Sequence, residues 1–129
     1  MSATIVINGR ATKSKATFRM EYAVGINIAA RPEPIWALLT NAADFPRWNS
    51  TVQRIEGQIG AGEKIVLYAT IAPKRAFKLT IDEFVPNHKL VWSDGNFIFR
   101  GVRTYTLTPQ ADGTTDFTMA ERFTGAMLP

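Results

Sequence analysis

From Phe18 onward the chain alternates. In "FRMEYAVGINIAA" the residues Met20, Tyr22, Val24, Ile26 and Ile28 recur at every second position, the period of a strand with one buried face. Gly25 inside this run predicts a bend or a bulge. Pro32 and Pro34 stop the strand, and Glu33 with Pro34 suits the first turn of a helix, where a missing N–H costs little and a carboxylate meets the positive end of the dipole. In "PIWALLTN", Ile35, Leu38 and Leu39 fall on one stripe with Trp36 beside it, and Asn41 and Pro46 close the segment. "AADF" reads as a second short helical turn, with Pro46-Arg47-Trp48 turning the chain into the next strand.

After Ser50 come apolar-polar runs broken by turn residues: "TVQRIEGQI", "EKIVLYATI", "RAFKLTIDEFV", "KLVWS", "FIFRGVRTYTLTP" and "TDFTMAERFTG". The connections "GAG", Pro86-Asn87, Asp94-Gly95-Asn96 and "QADGT" are too short for parallel crossovers, so the strands form an antiparallel meander. Helical turns followed by a strand series make the class α+β. Upstream, "TIVINGRATKS" reads either as a small hairpin turning at Asn8-Gly9 or as a frayed arm.

Alternation also separates the two faces of the sheet. Phe97, Phe99, Arg103, Tyr105 and Leu107 share a face with Gly101 between them, as do Phe117, Met119, Glu121 and Phe123, and Phe77, Leu79 and Ile81. The opposite face carries Lys78, Thr80, Asp82, Arg100, Thr104, Thr118 and Arg122 and is polar. Arg103 and Glu121 interrupt the apolar face. A loop centred on Asp112 pairs Tyr105 with Met119 and Arg103 with Glu121, making the two charges direct cross-strand neighbours. Such a pair either sets register or anchors a polar group of a ligand in an apolar pocket. A helix of about two turns, roughly 9–12 Å long, cannot cover strands of ~17–20 Å, so the sheet curls round a cavity or needs a further cover.

Composition narrows the chemistry. The 129 residues suit one domain, with 1–17 as an N-terminal extension and 18–129 as the core. There are no cysteines and one histidine, which excludes disulfides and thiol nucleophiles and leaves no usual zinc ligand set. Neither a secretory signal nor a membrane-spanning run is present, so the chain reads as soluble and cytoplasmic. The net charge of +4 is scattered rather than striped, which argues against nucleic acid. His88 and Asp94 fall in turns, as a solvated side chain and a turn former.

The order of "RPEPIWALLTNAADFPRWNSTV", a strand series with "LVW", and "ERFTGAMLP" resembles the START-like, or SRPBCC, superfamily over residues 22–129. The resemblance implies a helix-grip fold: a curved seven-stranded antiparallel sheet, two short helices after the first strand, and a long C-terminal helix gripped across the sheet over a hydrophobic cavity. That last helix would start beyond Met127-Leu128-Pro129, and its absence from this chain implies an open apolar face suited to homodimerisation or domain swapping.

The implied function is a binding or carrier domain for a small hydrophobic molecule, such as a lipid, polyketide or other aromatic. Phe77, Leu79, Phe97, Phe99, Tyr105, Phe117, Met119 and Phe123 would line the cavity, Trp48 its rim, and Arg103 with Glu121 would orient the ligand. A cyclase or dehydratase using Glu121 or Tyr105 for proton transfer is the alternative, and a co-chaperone-like interaction module is a third. No cofactor or metal is implied.

Overall fold

The computed structural model describes the backbone of residues 2–12, 15–95 and 99–127, and side chains over 19–95 and 99–125. Its strands are β1 (Ser2–Thr12), β2 (Lys15–Ile28), β3 (Val52–Glu56), β4 (Lys64–Ala69), β5 (Ala72–Val85), β6 (Lys89–Gly95), β7 (Phe99–Pro109) and β8 (Thr115–Met127). Between β2 and β3 lie α1 (Pro32–Leu39), a 3-10 turn (Ala42–Asp44) and α2 (Phe45–Trp48). All strands join one antiparallel sheet in the order β1-β2-β8-β7-β6-β5-β4-β3. Seven of them, β2 to β8, form the expected α+β sheet, and the N-terminal extension adds β1 along the edge of β2.

Four local expectations are corrected. The N-terminal hairpin does not turn at Asn8-Gly9: Asn8 pairs with Thr17 and Thr12 with Lys15, so the reversal falls between Thr12 and Lys15. Of the bend or bulge expected at Gly25, the bulge is ruled out, because the β2–β8 register runs unbroken from Ala16↔Met127 to Ile28↔Thr115. Pro46-Arg47-Trp48 belongs to α2 rather than to a turn, since proline is tolerated in a first helical turn. Asp94 lies in β6, paired with Gly101, not in the turn that its Asp-Gly dipeptide suggests.

Proline and capping explain the helical segment. Pro32 opens α1 with Glu33 in its first turn. Its end is closed by Thr40, whose Oγ1 donates to the Trp36 carbonyl at 2.8 Å. The Asn41 side chain accepts from the Asp44 amide at 3.3 Å to start the 3-10 turn, the usual N-cap role of asparagine. At the C-terminal end of β2, Thr115 is fully buried and donates through Oγ1 to the Ala30 carbonyl at 2.7 Å, tying the start of β8 to the entry of α1.

The core sits where these helices meet the sheet. Phe45 is completely buried, its ring 4.3 Å from Trp48 and 5.9 Å from Trp92, centroid to centroid. Trp36 packs edge-on against Phe84 at 5.2 Å. Leu39, Val52, Ile65, Leu79, Leu90 and Tyr105 are among the other members of this cluster, with Phe117 and Met119 packed against it. The helices therefore fill one end of the concave face and leave the other open.

Candidate functional site

Strand register builds a row of side chains across that concave face, polar at its β2–β8–β7 end. Tyr22 on β2 stands opposite Glu121 on β8, Glu121 opposite Arg103 on β7, Arg103 opposite Trp92 on β6, and Trp92 opposite Ile81 on β5. Directly opposed residues share a face, so five strands contribute one side chain each. The Arg103 Nη2 donates to Glu121 Oε2 at 2.7 Å, the Tyr22 hydroxyl donates to the same oxygen, and Arg103 Nη1 donates to the Tyr105 hydroxyl at 3.3 Å. The Arg103 and Glu121 side chains retain 22% and 13% of their accessibility, so the pair is shielded from water on most sides.

Burial acts on each group according to its charge. It opposes the Arg103 guanidinium, but Tyr105 and Glu121 outweigh it and hold the group protonated. Burial raises the Tyr22 hydroxyl, and its hydrogen bond to Glu121 raises it further. Tyr105 is also raised by burial, against the opposing pull of Arg103. Both phenols are therefore neutral hydrogen-bonding groups around one ion pair.

Beside this row lies a cavity of about 440 Å³. Its walls are Val52, Leu67, Phe77, Leu79, Trp92 and Phe123, and Asp94, Arg103 and Glu121 are its charged lining residues. Asp94 reaches inward because it follows Trp92 by two positions on β6 and so shares its face. Burial raises the Asp94 carboxyl above its ordinary range, and the negative charge of Glu121 adds to this. Gly101 makes room for it: a Cβ there would stand 2.8 Å from Asp94 Oδ1 and 3.2 Å from Phe123 Cε1.

Residues 15–129 match the family described as "Polyketide cyclase / dehydrase and lipid transport". The chain belongs to this family. Among solved structures, the START superfamily protein from Mycobacterium smegmatis is similar at 15% identity and TM-score 0.64, over 84% of this chain and 79% of that one. Truncated norcoclaurine synthase from Thalictrum flavum is similar at 13% identity and TM-score 0.66, over 84% and 77%. A protein from Rhodobacter sphaeroides reaches 27% identity with TM-score 0.58, over 92% and 77%. A search of curated proteins finds no match. The fold of this polyketide cyclase / dehydrase and lipid transport family member is START-like, and no helix among its described residues is long and apolar enough to cross a membrane.

Of the anticipated lining residues, Phe77, Leu79, Arg103, Glu121 and Phe123 meet at the cavity. Tyr105 is 3% exposed and sits in the core, with the tilted ring of Phe117 5.8 Å away; Met119 packs on that same cluster. They share a face with Arg103 but lie further along the strands, under the helices. Phe99 is 46% exposed and stacks on Phe123 at 6.1 Å, outside the cavity wall. Trp48 borders a second groove of about 300 Å³ between α1 and the β2–β8 pair, lined with Ile26, Leu38 and Phe117. Phe97 lies outside the described residues, and His88 is exposed in its turn. No metal-binding cluster is found among the described residues.

Two site residues escaped the sequence reading. Tyr22 was visible as part of the period-two pattern, but its partner lies 99 positions away, and nothing local gives that register. Asp94 was hidden by its turn-like neighbours; its parity with Trp92 was the signal that pointed inward.

Proposed function

We propose that this chain binds a small, largely apolar molecule bearing a neutral polar group, a carbonyl or a hydroxyl. The observation that carries this is the cavity of about 440 Å³ with aromatic and aliphatic walls and the Arg103–Glu121 pair at one side. That volume falls within the range of small-molecule sites, which combine apolar walls with a few placed polar groups. Arg103 and Glu121 balance each other's charge, so a neutral polar group is accommodated without leaving an uncompensated ion.

Native mass spectrometry and thermal shift with long-chain alcohols and neutral aromatic polyketides test the reading. A co-purifying apolar ligand, or stabilisation that Arg103→Met abolishes, supports it. Empty spectra with no shift from either class count against it.

A second reading, an enzyme of cyclase or dehydratase type, is favoured by the raised Asp94 carboxyl in the same cavity as Glu121. Carboxyls tuned upward by burial serve as general acids. Here Glu121→Gln or Asp94→Asn abolishes turnover while ligand binding persists. Turnover unchanged in either variant removes that residue from the chemistry.

A further inference from the structure

The hairpin joining β4 to β5 carries a side chain that neither the turn nor the core requires. Ala69 pairs with Ala72, so Thr70 and Ile71 alone make the loop. Loops this short favour Gly, Asn or Asp, yet the second position is isoleucine, and it is 94% exposed. The tip is held in place. The Thr70 amide donates to the Thr51 carbonyl at 3.0 Å and its hydroxyl to the Ser50 carbonyl at 3.0 Å. Ile71 is thus presented to solvent from a pinned turn, and it also borders the mouth of the cavity.

Along the hairpin itself the charge has one sign. From Lys64 to Ile81 the chain holds Lys64, Lys74, Arg75 and Lys78 and no acidic residue, and all four basic side chains are exposed. Lys74 and Arg75 follow Ile71 by three and four residues, roughly 10–13 Å of strand. Their long side chains bring the charges within about a Debye length of a surface that Ile71 touches. Opposite parity places them on the two faces of the hairpin. On the neighbouring strand, Arg54 stacks over Tyr68 at 4.0 Å and is balanced by Glu56 at 3.9 Å.

We propose that the β4–β5 hairpin docks this protein on an anionic lipid surface, with Ile71 entering the interface and Lys74 and Arg75 meeting the headgroups. An apolar tip flanked by cations of one sign is the arrangement that interfacial binding rewards, since apolar burial and attraction to anionic lipid act together. Docked this way, the cavity mouth opens at the bilayer surface. The inference rests on the hairpin and stands whether or not the cavity's ligand is a lipid.

Flotation of the full chain with vesicles of phosphatidylcholine mixed with phosphatidylglycerol, against vesicles of phosphatidylcholine alone, tests it. The protein partitions onto the anionic vesicles only, and added salt releases it. Ile71→Asn, which suits the turn and leaves the melting temperature unchanged, weakens partition at least about tenfold. Lys74→Gln weakens it about fivefold. In the variant I71W, tryptophan emission shifts to the blue on anionic vesicles. Absence of partition, or partition untouched by Ile71→Asn, overturns the proposal. So does light scattering that shows a dimer which Ile71→Asn dissociates without any vesicle binding, because the tip is then a contact between copies.

Discussion

Arg103 and Glu121 stand directly opposite each other on β7 and β8, with guanidinium Nη2 2.7 Å from carboxylate Oε2. A slip of one residue in this hairpin would turn each to the other face of the sheet, so the ion pair and the strand register specify each other. The Asp112 side chain, which accepts from the Thr114 amide at 3.0 Å and its hydroxyl at 2.6 Å, holds the connecting turn.

Removing one partner of this pair leaves the other charge shielded and uncompensated. Glu121→Ala lowers stability by about 1.5–3 kcal/mol, the range for hydrogen bonds to charged groups. The double variant Arg103→Met with Glu121→Leu recovers most of that loss, because apolar replacement of both partners leaves no stranded ion. Urea melts of the two single variants and the double one measure the coupling; strictly additive losses would show that the pair does not act as a unit.

Asp94 gives a pH dependence of unusual sign. Its folded-state carboxyl is raised above the ordinary 3.8 by burial and by Glu121, so the folded state holds the proton more tightly than the unfolded chain. Stability relative to Asp94→Asn therefore falls as pH rises from about 3.8 towards the raised value, then stays level. Melting temperatures of both proteins across that window should diverge, with the asparagine variant more stable at neutral pH.

Gly101→Ala tests the room made for Asp94. The added methyl meets Asp94 Oδ1 at 2.8 Å and Phe123 Cε1 at 3.2 Å, so the carboxyl must move into the cavity or the ring must shift. A cost of about 1–3 kcal/mol is expected, as for overpacked sites. Ligand affinity falls by more than the melting temperature suggests, read by titration with whichever ligand native mass spectrometry identifies.

Phe45 anchors the helical segment to the sheet. Phe45→Ala empties a fully buried site between Trp48 and Trp92 and should cost about 3–5 kcal/mol. The urea midpoint falls, and the intrinsic tryptophan fluorescence of the folded state changes because both indoles lose a ring contact.

Much of this was legible in the chain. Period-two alternation located the strands from Phe18 onward, the two prolines located α1, and a loop centred on Asp112 gave the pairing of Tyr105 with Met119 and of Arg103 with Glu121, which the structure shows. These are local properties: a turn a few residues long sets the register of the strands it joins. Legibility failed where local signals misled, as with Asn8-Gly9, whose turn-forming residues lie inside β1, and Asp94-Gly95, which end β6.

By itself, then, the sequence determined which residues face the same side of each strand and which neighbouring strands pair through short turns. Only the tertiary structure decided how far along that face the helices reach. Tyr105 shares its face with Arg103, yet the core under the α1–α2 segment buries it, with Phe117 and Met119 packed half-buried against that core, while Phe77 and Phe123 stand around an open cavity and Leu79 belongs to both. The closure of β8 onto β2 likewise brought Tyr22 to Glu121 across 99 positions. Side-chain parity is a property of the local backbone, whereas cover and long-range register arise from packing of the whole chain.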